Sequence, residues 1–137
     1  MDANDAFTRM FQVLKLHGVY ASAQFRKDIE DLVKTDIIKF IEDFTKAFSR
    51  INLKEQNKYE RLSIRPEQKK KLDGNSLFRY EYRNTSNLRC IYITRDVNNS
   101  NNTILLNAFN EVKGKTKGKN SYRFNIERAI KTYENLK

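Results

Sequence analysis

Residues 77–93 decide the fold, and they read Leu77-Phe78-Arg79-Tyr80-Glu81-Tyr82-Arg83, then a polar break at Asn84–Asn87, then Leu88-Arg89-Cys90-Ile91-Tyr92-Ile93. In the first run aromatic residues alternate with charged ones, which is typical of a strand with one buried face. The second run is richer in apolar and β-branched residues, which favours a more central strand. The polar break predicts that the two strands form an antiparallel hairpin, with the aromatic side chains on one face and the charged ones on the other.

The charged face of this hairpin offers arginines from neighbouring strands. A guanidinium stays charged and binds phosphate through two parallel hydrogen bonds, so Arg79, Arg83 and Arg89 are candidate ligands of an anion. Arg89 is the most informative, because a charge in an apolar strand is costly unless it reaches a partner or a cleft. Glu81 is interpreted either as a general base or as an ion-pair partner of a neighbouring arginine. The aromatic face is predicted to be core rather than a platform for stacking bases.

The charge of the chain is concentrated in its second half. The 137 residues carry a formal net charge of +10, yet residues 1–60 contain ten basic and ten acidic residues, and residues 61–137 contain seventeen and seven. Such a basic half favours a surface that binds a polyanion, although a merely solvated surface is the simpler alternative. A chain of this length fits one domain that needs no disulfides or metals.

Several classes of protein do not fit this composition. One cysteine, Cys90, and one histidine, His17, cannot assemble the ligand clusters of zinc sites, so no metal and no cofactor is expected. No apolar run approaches the length of a membrane span, and the N-terminus does not have the pattern of a signal peptide. We therefore expect a cytoplasmic protein without a membrane partner.

Hydrophobic spacing predicts three helices, then strands, then a last helix. The first predicted helix ends near Leu16, the second begins at the Ser22 cap, and the third follows Thr35. The last helix begins near Ser121. Short strands are predicted at Val19–Ala21 and Arg61–Ile64, before the hairpin, and at Thr103–Phe109 after it. The predicted fold class is α+β, with N-terminal helices on a small antiparallel sheet and a C-terminal helix. We expect one domain over residues 1–137, in which residues 1–18 form an additional helix.

Two lysine-rich segments flank the central strands. Lys69, Lys70 and Lys71 lie in Pro66–Asn75, which is predicted to be a loop leading into the hairpin. After the last strand, lysines alternate with other residues, two of them glycines, at Lys113, Lys115, Lys117 and Lys119. Flexibility with positive charge suits a segment that becomes ordered on a polyanion. The candidate RNA-binding residues are Arg83 and six of these lysines: Lys69, Lys70, Lys71, Lys115, Lys117 and Lys119.

The order of elements and four short motifs resemble the RelE/ParE superfamily of toxins from type II toxin–antitoxin systems. The motifs are Lys71-Leu72-Asp73-Gly74 leading into Leu77-Phe78-Arg79-Tyr80, then Leu88-Arg89-Cys90-Ile91-Tyr92, Leu106-Asn107-Ala108-Phe109, and the helix around Ile126-Glu127-Arg128-Ala129. The similarity runs from about Val19 to the C-terminus, and its ending is similar to that of HigB-like members. The helix before Leu16 lies outside the usual minimal fold.

The resemblance implies a function. RelE- and HigB-type toxins enter the ribosomal A site and cut mRNA without a metal, by attack of the RNA 2′-hydroxyl on the adjacent phosphate. By position, Arg79 and Arg89 match basic residues of the family, Lys113 or Lys115 matches one after the last strand, and Tyr122 lies near a catalytic tyrosine or histidine. Glu81 stands where some RelE proteins have a lysine. The implied partners are mRNA on the ribosome and a cognate antitoxin that covers the basic cleft.

The chemistry assigns roles to these residues. Cleavage needs a base for the 2′-hydroxyl, cations for the phosphoryl oxygens and an acid for the leaving 5′-oxygen. Arg79 and Arg89 suit the second role, whereas the base is Glu81, Glu67 or a loop lysine whose pKa is lowered by other cations. The candidate catalytic residues are Arg79, Glu81, Arg89, Lys113 and Tyr122. The alternative is a non-enzymatic protein, either a ParE-like gyrase inhibitor or a basic nucleic-acid-binding module.

Overall fold

The computed structural model describes residues 2–49, 60–82, 87–97, 100–112 and 118–136. Within these ranges the chain forms five helices and five strands. In chain order they are α1 (Ala3–Leu16), β1 (Val19–Ala21), α2 (Ala23–Leu32), α3 (Ile37–Ser49), β2 (Glu60–Arg61), α4 (Pro66–Lys71), β3 (Phe78–Glu81), β4 (Leu88–Val97), β5 (Ser100–Asn110) and α5 (Tyr122–Asn135). The predicted α+β class is confirmed, and so are the strand at Val19–Ala21 and the hairpin of β3 and β4.

The five strands form one sheet in the order β1-β5-β4-β3-β2. Strands β2 to β5 are antiparallel to their neighbours, but β1 runs parallel to β5, with Val19 opposite Thr103. The prediction of a wholly antiparallel sheet is therefore wrong at this edge. Parallel neighbours need a long crossover, and the helices between β1 and the later strands allow one. Hydrophobic alternation identifies a strand without identifying its partner.

Helices α1 to α3 cover one face of the sheet with a layer of aromatic rings. Asp2 and Ser22 cap α1 and α2 by accepting hydrogen bonds from the backbone N–H groups of Asp5 and Phe25. The layer contains Phe7, Phe11, Phe25, Phe40, Phe44 and Phe48, which pack with Phe78, Tyr80, Tyr82 and Tyr92 of the sheet. The prediction that the aromatic face of the hairpin is core is confirmed, and Cys90 is fully buried there too.

Helices α4 and α5 lie on the opposite face. Their core contains Leu72, Leu77, Ile91, Ile93, Leu106, Phe109, Ala129, Ile130 and Tyr133. The segment from Pro66 forms a helix where we predicted a loop. Pro66 occupies the first helical position, where a missing N–H costs nothing, and the Arg65 N–H donates to the side chain of Gln68. The three lysines of α4 occupy its last turn, where the helix dipole favours positive charge.

Buried polar contacts fix α5 against the sheet edge that the short strand β1 leaves open. Beyond Ala21, the Ser22 hydroxyl donates to the Leu106 carbonyl, and the Asp28 carboxylate accepts from the Ala108 N–H at 2.9 Å. Asp28 also accepts from the Arg128 guanidinium of α5. Asp28 therefore joins α2, β5 and the middle of α5.

No helix in the part of the chain that the structure describes has the length and apolar character needed to cross a bilayer.

The aromatic layer is expected to dominate stability. Phe44 is fully buried and packs with Phe25, Phe40, Phe48 and Tyr80. Phe44→Ala should lower the free energy of unfolding by about 3–5 kcal/mol, because it removes these contacts and leaves a cavity. Urea unfolding followed by circular dichroism measures the free energy of unfolding of the variant and of the wild type.

The matched control is Ile38→Ala on the same helix, because the Ile38 side chain is 65% exposed. It should change stability by no more than about 0.5 kcal/mol. Similar losses for the two variants would contradict this assignment of the core.

Candidate functional site

Glu81 lies between two arginines on the face of the sheet that carries α5. Pairing of β3 with β4 places Glu81 directly opposite Arg89, and Arg79 lies two residues earlier on the same strand and face. Glu81 Oε1 is 3.6 Å from Arg79 Nη2 and 3.8 Å from Arg89 Nε. These two nitrogens are therefore no more than about 7.4 Å apart, the sum of the two distances. The arrangement brings together three of the five candidate catalytic residues.

Arg79 is held by a second carboxylate from the edge strand. Its Nε donates to Glu60 Oε2 at 2.7 Å, Nη2 donates to the same oxygen, and Glu60 is its partner in the pairing of β2 with β3. Burial by itself would lower the pKa of Arg79, but the hydrogen bond to Glu60 and the nearby Tyr122 outweigh it, so the pKa is raised. The guanidinium also lies over the Tyr122 ring, 5.2 Å from its centroid.

Arg89 is nearly buried, and its side chain is only 10% exposed. Nε donates to Glu111 Oε1 at 3.0 Å and Nη1 to the Leu88 carbonyl at 3.1 Å. Glu111 directly follows β5, and its N–H donates to the Asn87 carbonyl at the start of β4. The charge of Arg89 in an apolar strand is thus compensated by two carboxylates, Glu81 and Glu111.

Tyr122 is the first residue of α5, and its ring packs edge-on against Phe109 of β5. Its hydroxyl oxygen is buried without a hydrogen-bond partner in the described part of the chain. Burial raises the pKa of Tyr122 to about 12, although the Arg79 guanidinium opposes the shift. The phenol therefore keeps its proton at neutral pH.

The charges of this cluster nearly cancel. We call Arg79, Arg89, Glu60, Glu81, Glu111 and Tyr122 the arginine cluster; it has two guanidiniums and three carboxylates. This local excess of negative charge contrasts with the +10 of the chain. Glu81 is the ion-pair partner of arginines, as the simpler of the two interpretations predicts.

The lysines of α4 lie on the helix that packs against α5. Lys69, Lys70 and Lys71 are exposed on a helix that contacts the middle and the C-terminal half of α5, through Gln68 to Glu127 and Tyr133 to Asp73. Their expected place beside the arginine strands is not supported by any contact with the arginine cluster among the described residues. Glu67, the alternative base, pairs instead with Arg65.

Lys119 is exposed in the turn that precedes α5. Asn125 accounts for this turn, because its side chain donates to the carbonyls of Lys119 and Ser121. The other candidates, Arg83, Lys113, Lys115 and Lys117, lie outside the described residues.

Glu60 and Glu111 are functional candidates that the sequence did not reveal. Glu60 directly precedes the predicted strand Arg61–Ile64, and Glu111 is the second residue after the predicted strand Thr103–Phe109, so neither falls on a predicted strand. Such ion pairs are indicated when an acidic residue at the end of one strand lies next to a strand that carries an arginine. The pattern is usable only when the neighbouring strand and its register are known.

The interpretation of the arginine cluster rests on its geometry, because the comparisons with known proteins found no match. No family model, no curated protein and no solved structure matches this chain.

The pairing of Arg89 with Glu111 is expected to contribute measurably to stability. Arg89→Met leaves Glu111 without its cation and Glu81 with Arg79 alone, so it should lower the free energy of unfolding by about 1–3 kcal/mol. When Glu111→Gln is added, the two losses should fall short of additivity by roughly 1–2 kcal/mol, since each variant already breaks the pair. Urea unfolding of the four proteins of this cycle gives the coupling energy.

The control cycle combines Arg89→Met with Glu42→Gln, because Glu42 is exposed on α3 across the sheet. These two changes should be additive. A coupling energy near zero for Arg89 and Glu111 would show that the two side chains do not pair in solution.

Proposed function

We propose that this chain is the toxin of a type II toxin–antitoxin system, with the RelE-like fold, and cleaves mRNA on the ribosome by attack of a 2′-hydroxyl. One observation carries the proposal: guanidiniums from adjacent strands, Arg79 and Arg89, flank one oxygen of Glu81 next to the protonated Tyr122. The order of elements, with a helical pair before an antiparallel meander and a closing helix, supports it further.

The two arginines suit the binding of one scissile phosphate. Their nitrogens are separated by at most about 7.4 Å. Because Glu81 occupies the space between these two nitrogens, the phosphate lies beside Glu81 and accepts charge-assisted hydrogen bonds from other N–H groups of the two guanidiniums. Both guanidiniums keep their charge and lie on strands of the sheet, so they can stabilise the charge that builds up on the phosphoryl oxygens.

Glu81 and Tyr122 suit the two proton transfers. Glu81 lies between the guanidiniums, where its carboxylate can accept the proton of a 2′-hydroxyl that attacks the bound phosphate. Tyr122 keeps its proton at neutral pH, and the Arg79 guanidinium lies over its ring; its buried hydroxyl must become accessible to RNA before it can protonate the leaving 5′-oxygen. The reaction leaves a 2′,3′-cyclic phosphate on one fragment and a 5′-hydroxyl on the other.

The basic second half of the chain suits the implied partners. The surface lysines at Lys69–Lys71 and Lys119 can contact the phosphates of the mRNA and of the ribosome around the site. An antitoxin with an acidic segment can cover the arginine cluster and the basic residues near it, which would block access of RNA.

A second candidate is a non-enzymatic protein, either a ParE-like gyrase inhibitor or a nucleic-acid-binding module. The observation that favours it is that Arg79 and Arg89 are already paired with carboxylates, as purely structural arginines would be. The two candidates differ in what happens to mRNA.

The first test is induced expression with mapping of mRNA 5′ ends by primer extension. The wild-type chain should arrest growth and produce new ends inside translated codons. Arg89→Lys keeps the charge but loses the planar fork, so it should reduce cleavage by roughly 100-fold or more. Glu81→Gln should reduce it by about the same factor, because it removes the base.

Arg9→Ala is the control, because Arg9 is an exposed arginine on α1 and belongs to the opposite side of the sheet. It should leave arrest and cleavage unchanged. Growth arrest with intact mRNA would reject the nuclease and favour the second candidate, and arrest by the Arg89→Lys variant at the wild-type level would place the active surface elsewhere.

The proton donor can be tested by a pH profile of cleavage in a reconstituted translation system. Tyr122→Phe should lower the cleavage rate by about 100-fold. Because the pKa of Tyr122 is about 12, the phenol is protonated from pH 6 to pH 9, so the variant should keep the shape of the wild-type profile over this range. A wild-type profile that loses a basic limb in the variant would mean that Tyr122 ionises near neutral pH, contrary to this assignment.

A further inference from the structure

In the free protein, the guanidiniums that the proposed function requires are already paired with carboxylates. The side chain of Arg89 is 10% exposed and that of Arg79 is 29% exposed, and each donates to a carboxylate that has no role in the proposed chemistry. These carboxylates are Glu60 on β2 and Glu111 at the end of β5. A phosphate oxygen that binds Arg79 Nε or Arg89 Nε must therefore take the place of a carboxylate oxygen.

We propose that Glu60 and Glu111 are specificity-determining residues of this site, because they occupy its two arginines until the phosphates of a single-stranded RNA displace them. The inference rests on the proposed function, since it concerns how RNA gains access to the same arginines. It assigns to Glu60 and Glu111 the role of competitors of the ligand.

The positions of the two carboxylates suit displacement. Glu60 is half exposed and Glu111 about a quarter exposed, so each can turn towards solvent and be hydrated without burying an unpaired charge. Glu81 is less exposed, at 19%, and touches both arginines, so it stays between them. The incoming phosphate replaces the negative charge that it displaces, so each guanidinium keeps an anionic partner through the exchange.

The free-energy cost of displacing Glu60 and Glu111 determines which anions bind to the arginines. A single phosphate binds at one place only and must displace both carboxylates. A strand of RNA also contacts the exposed lysines of the surface and releases counterions. The site therefore favours a strand of RNA over inorganic phosphate or mononucleotides, which are abundant in any cell. This selection acts through competition by the protein's own carboxylates and needs no contact with a base.

The test measures binding apart from cleavage. The probe is a short single-stranded RNA with 2′-O-methyl groups and a fluorescent label, which has no 2′-hydroxyl to attack, and the readout is fluorescence anisotropy at low salt. Glu60→Gln and Glu111→Gln should each tighten binding by roughly fivefold, because each frees a guanidinium from a competitor. Glu42→Gln removes the same charge from an exposed site across the sheet and should change the affinity by less than about twofold.

The gain must depend on the arginine that is freed. Arg79→Gln should weaken binding, and the combination with Glu60→Gln should show no gain over Arg79→Gln alone. A second measurement uses the unmodified protein: the carboxyl-carbon NMR signals of Glu60 and Glu111, assigned from the two variants, should shift when RNA is added, whereas that of Glu42 should not.

Two results would overturn the inference, and they differ in what else they reject. If both glutamine variants bind RNA as the wild type does or more weakly, while Arg79→Gln and Arg89→Gln weaken binding, the carboxylates only position the arginines and the proposed function stands. If neither arginine variant changes RNA binding, the inference and the proposed phosphate site both fail.

Discussion

The structure of this site depends on one buried charge, the guanidinium of Arg89 in the central strand β4. A nearly buried cation is tolerated only when anions or carbonyls surround it, and here two carboxylates and the Leu88 carbonyl do so. Glu81 belongs to β3 and Glu111 directly follows β5. The pairing of both carboxylates with Arg89 of β4 therefore holds the ends of these three strands together. The N-terminus of α5 lies at the same place and adds Tyr122 to the cluster.

The two faces of the sheet differ in character. The face under α1 to α3 carries the larger apolar core, which includes a layer of packed aromatic rings. The face under α4 and α5 has a smaller apolar core and gives way to the arginine cluster near the start of α5. The buried contacts of Asp28 with Ala108 and Arg128 hold α5 in position from the opposite sheet edge. Changes in the cluster can therefore alter function without removing the main apolar core.

Much of this arrangement could be predicted from the sequence, because it follows from local periodicity. The alternation of residues 78–82 identified both faces of β3, and the cost of a charge among apolar residues singled out Arg89. The helix at Pro66 was missed although proline at the first position and Gln68 three residues after Arg65 are ordinary start signals. The lysines of that helix lie in its last turn instead of in a loop.

The partners of the arginines could not be predicted, since they depend on which strands pair and in what register. Glu60 faces Arg79 only because β2 is the neighbour of β3, and the order of pairing in a sheet is not written in the alternation of a single strand. The parallel pairing of β1 with β5 was missed for the same reason. The sequence therefore identified Arg79 and Arg89 but not Glu60 and Glu111, the carboxylates that pair with them.

The measurement that tests the central claim most directly is the chemistry of the ends that the protein leaves on mRNA. Attack by the 2′-hydroxyl on a phosphate held by Arg79 and Arg89 predicts a 5′-hydroxyl on the downstream fragment, which polynucleotide kinase can label without prior phosphatase treatment. The upstream fragment should end in a 2′,3′-cyclic phosphate, and a single 2′-deoxynucleotide at the cleaved position should prevent the cut. Fragments with 5′-phosphate and 3′-hydroxyl ends, or cleavage at the deoxynucleotide, would contradict the account.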